Sequence, residues 1–429
     1  MSSRGSARPP VTSAASARSA GPSSKSLSLP LSFDIRSNIS SWTVVDSQWR
    51  TGPVRDHVLQ AHDRAILCMA AFRNRVVTGS ADHGLREFDV SGPAPRMIRQ
   101  LFSRNAGHAE WVTSAAYIRD GRIVSGAMDA KLCVWDACVS VTSGNTPARC
   151  TDLTGHQSSI SSLKIDDSDV CISSSYDATL KVWDLSSANS RDWSCVSDLV
   201  GHSKAVLSFA WHRSLVASGG RDMIVGLWDL RTGQMTSQLR GHRQPVQCCE
   251  FICTDQGATN LLVTGSWDGQ VRMWDLRDSR CVAVVDAHPG NHVNSIRSVR
   301  SSVLTTGAYD WTAYECVSQA SVPPSQGDAV VSGGSDGLVH VLDVRKGLQT
   351  RATLSGHREA VGCLQTRGNL CLSGAANGWV LVHDINTAEC LYGVGASKEA
   401  VRCIEVLPER ACIGGDDGCT MFLDFADLC

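Results

Sequence analysis

A short pattern recurs along this 429-residue chain at a nearly constant spacing. Each copy opens with Gly-His, continues to a turn of small residues that ends in Asp, and closes with an aromatic residue followed by Asp. A repeat of this kind predicts a chain built from similar units that bury their apolar faces against one another. The opening pairs are Gly107-His108, Gly155-His156, Gly201-His202, Gly241-His242 and Gly356-His357, with variants at Ala61-His62 and Ala287-His288.

The turn aspartates set the period of the repeat. Successive differences between Asp82, Asp129, Asp177, Asp222 and Asp268 are 47, 48, 45 and 46 residues. The segments between them are short, rich in Val, Ile, Leu, Ser and Cys, and separated by Gly and Asp, which favours strands over helices. A period of roughly 45 residues is typical of a four-stranded propeller blade.

The motifs resemble those of the WD40 repeat family over roughly residues 55–429, which we assign to the folded domain. The resemblance implies an all-β fold, a closed WD40 β-propeller. It also implies that a His, a strand Ser or Thr, the turn Asp and the Trp form a hydrogen-bonded tetrad inside each blade. The implied tetrads are His108, Ser125, Asp129 and Trp135; His156, Ser173, Asp177 and Trp183; His202, Ser218, Asp222 and Trp228; and His242, Thr264, Asp268 and Trp274.

The tetrads contain the residue types of a hydrolase triad, but their recurrence argues against catalysis. A triad occurs once in an enzyme, whereas this set recurs in every well-matched copy. Buried polar groups that satisfy one another avoid a cost of roughly 1–3 kcal/mol each. We therefore predict a structural role for the tetrads, no catalytic residues, no cofactor and no enzymatic activity.

The later copies depart from the pattern and leave the number of blades open. Ser332 and Asp336 keep the turn with no apparent His or Trp, while residues 307–311 resemble residues 107–111 at the start of a copy. This alignment favours eight blades, with seven as the alternative, and makes Pro323-Pro324 an exposed loop. By resemblance, an N-terminal strand at residues 58–60 should complete the last blade and remove an open sheet edge.

Residues 1–54 are assigned to a flexible tail. The first 30 residues are rich in Ser, Ala, Pro and Gly, carry four basic residues and no acid, and cannot bury enough apolar surface to order themselves. A mitochondrial transit peptide is the alternative, weakened by Pro9 and Pro10. We expect a cytoplasmic protein, with nuclear and mitochondrial locations as alternatives. No apolar run approaches the roughly 20 residues of a membrane span, so no membrane insertion is expected.

The 18 cysteines include a cluster at Cys248, Cys249 and Cys253 that could suggest a metal site. These positions are consecutive in a strand and its following turn, and no paired C-x-x-C motif with metal spacing occurs. Elsewhere Cys and Ser share one column of the repeat, as small packing residues do. We therefore predict no metal.

The predicted binding surface follows from the residue before each turn Asp, which should lie at the rim of the central channel. At several copies this residue is Tyr, Trp, Met or Arg, types enriched at protein interfaces. We predict a scaffold that binds other proteins or peptides through this rim and the top face; the alternative is that these side chains merely cover the channel. The predicted partner-binding residues are Trp111, Met128, Tyr176, Arg221, Trp267, Arg243 and Arg358.

Two further functions stay open at this point. The sequences at 228–231 and 274–277 resemble the W-D-x-R box of cullin-RING ubiquitin ligase substrate receptors, which makes Arg231 and Arg277 possible contacts for the ligase adaptor. In many propellers the same arginine only forms a surface salt bridge. A subunit of an RNA- or DNA-associated complex is the other alternative, although a net charge of -2 makes direct nucleic-acid binding unlikely to dominate.

Overall fold

The computed structural model describes residues 47–102, 107–136, 149–187, 193–252, 260–299 and 329–426. The strands in these ranges form eight sheets of four antiparallel strands. The innermost strand of each sheet contacts that of the next, and the last contacts the first, so the sheets close into a ring. The predicted all-β propeller and the preferred count of eight blades are therefore confirmed. We name the strands of a blade a to d, from the channel outward.

The first four blades each use four consecutive strands, paired in chain order. Blade 1 comprises β2 (Ile66–Phe72), β3 (Arg75–Ser80), β4 (Leu85–Asp89) and β5 (Arg96–Leu101). Blade 2 comprises β6 (Val112–Tyr117), β7 (Ile123–Ala127), β8 (Lys131–Trp135) and β9 (Cys150–Thr154). Blade 3 comprises β10 (Ile160–Ile165), β11 (Val170–Ser175), β12 (Thr179–Asp184) and β13 (Ser194–Val200). Blade 4 comprises β14 (Val206–His212), β15 (Leu215–Gly220), β16 (Ile224–Asp229) and β17 (Gln234–Arg240).

The last blade differs from the others because its outer strand comes from the N-terminal side of the ring. Blade 5 comprises β18 (Val246–Ile252), β19 (Leu261–Ser266), β20 (Gln270–Asp275) and β21 (Arg280–Asp286). Blade 6 comprises β22 (Val293–Val299), β23 (Ala329–Gly334), β24 (Val339–Asp343) and β25 (Gln349–Leu354). Blade 7 comprises β26 (Val361–Arg367), β27 (Leu370–Ala375), β28 (Trp379–Asp384) and β29 (Cys390–Gly395). Blade 8 comprises β30 (Val401–Val406), β31 (Arg410–Gly415), β32 (Cys419–Asp424) and β1 (Arg55–Gln60).

Neighbouring blades meet at a point where only a very small residue fits. A Cβ atom on Gly265 of β19 would lie 2.5 Å from Val293 of the next blade, and one on Gly79 of β3 would lie 2.8 Å from Val112. These distances are too short for real Cβ contacts, so the glycines let the sheets approach closely. The cores of the blades lie on either side of these contacts and consist mainly of Val, Ile, Leu and Trp.

The N-terminal strand closes the ring as expected from the resemblance. Strand β1 pairs antiparallel with β32 in an unbroken register from Arg55 opposite Asp424 to Gln60 opposite Cys419. This pairing satisfies the outer edge of β32, which would otherwise expose a row of backbone donors and acceptors.

The expected tail boundary at residue 55 is placed too late. Residues 47–51 form a turn of helix, and Trp49 is fully buried. The Trp49 indole stacks on Phe425 at 3.6 Å and donates its Nε1 hydrogen to the Pro408 carbonyl at 3.1 Å, while Tyr392 donates to the Trp49 carbonyl at 2.9 Å. The composition of the sequence did not indicate that this segment is ordered, because one tryptophan provides most of its contacts. Residues 1–46 lie outside the described residues.

Blade 6 shows how the late copies were misaligned. Its inner strand β22 precedes residues 300–328, which lie outside the described residues, and its second strand β23 follows them. The blade therefore opens at Ala287-His288, and the alignment that opened it at residues 307–311 is wrong. That segment and Pro323-Pro324 both fall within residues 300–328.

No helix in the ranges given above is both long enough and apolar enough to pass through a lipid bilayer.

Candidate functional site

Four polar and aromatic side chains meet inside blade 4. Nδ1 of His202 lies 2.9 Å from a carboxylate oxygen of Asp222, and its Nε2 lies 2.7 Å from Oγ of Ser218. The Trp228 indole donates to the same Oγ at 2.8 Å. Both histidine nitrogens are thus occupied by partners within the blade.

The same arrangement recurs in blades 2, 3 and 5. The His Nδ1 to Asp distances are 3.3, 2.8 and 3.2 Å, and the His Nε2 to hydroxyl distances are 2.7, 2.8 and 2.8 Å. The Trp indole donates to that hydroxyl at 2.9 Å in all three blades. The structure thus brings together each of the four sets named from the resemblance.

Protonation in the blade 3 set favours a carboxylate at Asp177 beside a neutral imidazole at His156. Burial alone would raise the pKa of Asp177, but hydrogen bonds from Thr179, the Gln157 N–H and His156 lower it to about 2. Burial lowers the pKa of His156, against the opposing effect of Asp177. A neutral ring with both nitrogens engaged is suited to holding two turns together, and it leaves no ring nitrogen facing solvent.

Blade 6 has a histidine that the sequence pattern appeared to lack. Nδ1 of His288 lies 2.9 Å from Asp336, and its Nε2 lies 3.1 Å from Ser332. The expectation of a turn without His was wrong because residues 300–328 separate His288 from its partners in sequence. Leu342 occupies the Trp position, so this blade lacks the indole donor.

Blade 7 has an incomplete set. Nε2 of His357 lies 2.8 Å from Ser373, but its Nδ1 is buried and has no hydrogen-bond partner among the described residues. Asn377, at the turn position, accepts from the Trp379 N–H through Oδ1, as the aspartates of the other blades do. The other polar atom of its side chain is an amide nitrogen, which cannot accept a hydrogen bond from Nδ1 of His357. Burial and the nearby His383 lower the pKa of His357 to about 4.

Replacing Asn377 with Asp is expected to raise the free energy of unfolding by about 1 kcal/mol, because the second oxygen gives His357 Nδ1 the acceptor it lacks. Urea denaturation of N377D beside the wild type measures the gain. The same substitution in a His357→Ala background is the control and should give no gain. An equal gain in both backgrounds would show that the carboxylate acts elsewhere.

The top face of the propeller carries the turns between strands b and c. In each blade the residue before the turn Asp donates its N–H to a carbonyl at the start of strand a; in blade 3, Tyr176 donates to Ser159 at 2.9 Å. This bond fixes the residue beside the mouth of the central channel. The position predicted for the binding surface therefore lies at the channel rim in every blade.

Four of the predicted partner-binding residues converge on one cavity at this mouth. Met128, Tyr176, Arg221 and Trp267, from blades 2 to 5, line a cavity of about 400 Å³. Sequence reasoning missed the residues that line it from below, on or just before the inner strands. Four of them are second residues of inner strands, a position that the alternation of the strand could have indicated: Thr113, Ser161, Leu207 and Gln247. The missed lining residues are Thr113, Ser159, Ile160, Ser161, Leu207 and Gln247.

The cavity combines apolar, aromatic and cationic groups. The Arg221 guanidinium lies 5.1 Å from the centre of the Tyr176 ring, a cation–π distance. The Trp267 indole donates to Gln247 at 3.1 Å, which fixes its orientation. The Met128 and Tyr176 side chains are 41% and 42% exposed, which are large fractions for hydrophobic side chains on the surface of a folded protein. This half of the top face, from blade 2 to blade 5, thus offers fixed rings, a flexible thioether and one cation.

The other predicted residues do not line this cavity. The Trp111 carbonyl accepts from the Met128 N–H at 2.9 Å, which places exposed Trp111 beside the cavity in blade 2. Arg243 and Arg358 are exposed on the top face in blades 5 and 7. The opposite half of the rim has smaller or paired side chains, such as Asp416, which Arg402 holds in an ion pair at 2.6 Å.

Charged side chains inside the channel were not anticipated. The fifth residues of inner strands in blades 3, 5, 6 and 8 are Lys164, Glu250, Arg297 and Glu405. Burial lowers the pKa of Lys164, against the effect of Glu250, and raises the pKa of Glu405 to about 7. All four side chains belong to the inner strands, which surround the channel.

The W-D-x-R arginines lie on the face opposite the cavity, after the third strands of blades 4 and 5. Arg231 lies 3.3 Å from Asp229, and Arg277 donates to Asp275 at 3.0 Å. Each arginine thus pairs with the aspartate two residues before it, while its side chain stays largely exposed. This is the local salt bridge common in such turns.

The cysteine cluster is divided by the strand geometry. Cys248 and Cys249 are successive residues of β18 and therefore point to opposite faces of the sheet. Cys253 lies outside the described residues. Burial raises the pKa of the Cys248 thiol well above its usual range and that of Cys249 to about 12, so both thiols stay protonated as packing groups.

Comparison with known proteins agrees with the repeats described above. The family model "WD domain, G-beta repeat" matches residues 99–136, 148–184, 193–229 and 233–275. Each match ends at the Asp of a closing Trp-Asp pair in blades 2 to 5. These are the blades in which the polar set is complete.

Known proteins resemble this chain at low sequence identity. The chain is 26% identical over 280 residues to the DENN domain and WD repeat-containing protein SCD1 of Arabidopsis thaliana, covering 62% of this chain and 20% of that protein. It is 24% identical over 330 residues to the Arabidopsis ribosome biogenesis protein WDR12 homolog, covering 68% and 67%. The Chaetomium thermophilum Sqt1 structure, bound to the N-terminus of ribosomal protein L10, has a TM-score of 0.67 at 16% identity over 86% of this chain and 98% of that chain.

Proposed function

This chain is a WD40 repeat protein folded as an eight-bladed β-propeller, and from that premise we propose that it is a non-enzymatic scaffold that binds a segment of another protein. The convergence of Met128, Tyr176, Arg221 and Trp267 around the top-face cavity carries the proposal. These are the residue types that dominate binding energy at protein interfaces. The scaffold then holds this partner within a multiprotein complex.

The charges around the cavity favour an acidic partner segment. Lys204, Arg221 and Arg243 are exposed on the top face of blades 4 and 5, with Glu110 of blade 2 as an opposing charge. An aromatic or aliphatic side chain would enter the cavity between Met128 and Tyr176, while a neighbouring carboxylate pairs with Arg221. Capture of a ribosomal protein N-terminus by Sqt1, a propeller of similar fold, supports a peptide segment as the form of the partner.

The double variant Tyr176→Ala with Arg221→Ala is expected to weaken binding of the main partner by at least about 30-fold, since a central aromatic or arginine anchor costs about 2 kcal/mol or more. The melting temperature should change little because both side chains are exposed. Affinity purification with quantitative mass spectrometry, followed by binding measurements on the recovered partner, gives the comparison.

A matched control removes exposed apolar groups from the outer strand β13. Val196→Ala with Val200→Ala changes two residues that are 65% and 68% exposed and lie away from the cavity. This variant should retain the partner. Loss of the partner in the β13 variant, with retention in the cavity variant, would contradict the proposed face.

The other functional hypotheses stay predictions. Arg231 and Arg277 are exposed enough to meet a ligase adaptor, but their pairing with Asp229 and Asp275 already explains their conformation. A role in an RNA- or DNA-associated complex would place the nucleic acid in contact with a partner rather than with this chain. The cytoplasmic location likewise stays a proposal.

A further inference from the structure

Two cysteines and an aspartate meet on one face of blade 2. Oδ1 of Asp152 lies 3.5 Å from Sγ of Cys133 and 3.4 Å from Sγ of Cys150. The three ligand atoms all lie within 4.8 Å of one another. Cys133 is on β8, whereas Cys150 and Asp152 are on the paired strand β9. The group lies outside the cavity described above and has no part in the proposed function.

The distances match the edges of a tetrahedral metal site. Zinc binds thiolate sulfur at about 2.3 Å and carboxylate oxygen at about 2.0 Å, so tetrahedral geometry separates the two ligand atoms by roughly 3.5 Å. Both sulfur–oxygen distances at Asp152 have this value to within 0.1 Å. An ion placed between the three atoms could reach all of them without movement of the strands.

The aspartate is already oriented for this role. Its Oδ1 faces both sulfurs and accepts from the Gly107 N–H at 3.2 Å, while its Oδ2 lies 3.4 Å from Nζ of Lys131. Outer contacts of this kind fix the carboxylate of a metal site. Cys133 is buried, but Cys150 and Asp152 are partly exposed, which leaves a path for an ion and for a solvent ligand.

In blade 3, the position equivalent to Cys133 carries a positively charged side chain. There Lys181 stands where blade 2 has Cys133, and its ammonium donates to Asp198 at 2.6 Å. Cys195 lies opposite Trp183, as Cys150 lies opposite Trp135, and its Sγ is 3.1 Å from Asp198. Blade 2 thus has a second thiol in place of the ammonium, and its Lys131 pairs with Oδ2 of Asp152, whereas Oδ1 is the oxygen that lies near the two thiols.

A disulfide is the poorer explanation of the pair. In the regular register of β8 and β9, Cys133 lies opposite Asp152 and Cys150 lies opposite Trp135. The two cysteines are therefore diagonal neighbours, with Cα atoms typically about 7–8 Å apart. Disulfides need a Cα separation of about 4.4–6.8 Å. A metal ion bridges the longer separation without distorting the sheet.

We propose that Cys133, Cys150 and Asp152 bind one Zn²⁺ ion, with solvent as the fourth ligand. Thiolate and carboxylate ligands in a tetrahedral arrangement suit zinc among the common divalent ions. The ion links the outer strand β9 to β8. These two strands are separated in sequence by residues 137–148. His108 is not a ligand, because Asp129 and Ser125 already occupy its two nitrogens.

The test uses the full chain, purified under reducing conditions and stripped of metal with a chelator. Added Zn²⁺ should bind at one equivalent and raise the melting temperature, and Co²⁺ in its place should give thiolate-to-metal charge-transfer absorption. Cys133→Lys, which copies blade 3, should fold and lose all three signals. Cys195→Ser, which removes the counterpart thiol in blade 3, should keep them.

Cys150→Ser keeps the proposal testable if Cys133→Lys fails to fold, because Cys150 is partly exposed at the blade surface. Its expected result is loss of the bound equivalent with a normal far-UV spectrum. Failure of the wild type to bind an equivalent would overturn the proposal. So would retention of the equivalent in Cys150→Ser, which would place the ion among other cysteines of the chain.

Discussion

Replacing Trp49 with alanine is expected to lower the free energy of unfolding by about 3–5 kcal/mol, the usual cost of truncating a buried Trp. The side chain is fully buried and stacks on Phe425, and the Arg367 guanidinium lies 4.8 Å from its ring. Its Nε1 hydrogen bond to Pro408 would also be lost. The truncation would leave an empty space beside β1, the N-terminal strand on which closure of the ring depends.

Trp379→Ala is the matched control, since Trp379 of β28 is 48% exposed. It should cost much less, because most of its surface already faces water. Urea denaturation of both variants against the wild type gives the comparison. Equal costs would mean that residues 47–54 do not help to close the propeller.

Ser125→Ala is expected to lower the free energy of unfolding by about 2 kcal/mol or more, although it removes one oxygen atom. That oxygen is the partner of both the His108 Nε2 and the Trp135 indole, at 2.7 and 2.9 Å. Its removal leaves two buried polar groups unpaired, each at a cost of about 1–3 kcal/mol.

Ser114→Ala in the same blade is the control. Ser114 is also buried, but its hydroxyl has no hydrogen-bond partner in the part of the chain that the structure describes. Replacing an unpaired buried hydroxyl with a methyl group should be neutral or stabilising. A loss of stability as large as that of Ser125→Ala would show that the polar set contributes no more than any buried serine.

Periodicity in the sequence, together with the resemblance to the WD40 family that its motifs carry, was enough to predict the architecture. The sets built on His108, His156, His202 and His242 recur because each blade must satisfy the same buried polar groups, so their spacing reports the fold directly. The outer strand β1 was predictable for a related reason: a ring of four-stranded blades needs a strand to cover β32. At these positions the hydrogen-bonding requirements within each blade and the overall fold favour the same residues.

The departures from the prediction come from long separations in sequence. His288 was named as a variant opening residue, but it was not joined to Ser332 and Asp336 because residues 300–328 stand between them in sequence. Trp49 was missed because its partner Phe425 lies near the opposite end of the chain. No local pattern can show a contact that only ring closure creates.

The candidate site was predictable in part. The residue before each turn Asp indicated Tyr176, Arg221 and Trp267, because its place in the turn fixes it at the channel rim. Gln247 and the other lining residues come from inner strands, and only the arrangement of blades around the channel brings them to the same cavity. The thiol pair of blade 2 likewise depends on the register of β8 and β9.

The central claim is that the top-face cavity holds the partner, and site-specific photocrosslinking tests it most directly. A benzophenone amino acid in place of Tyr176 should form a covalent adduct with the partner in cells, while the same group in place of Val196 on the outer strand should not. Adducts at position 196 with none at position 176 would contradict the proposed function.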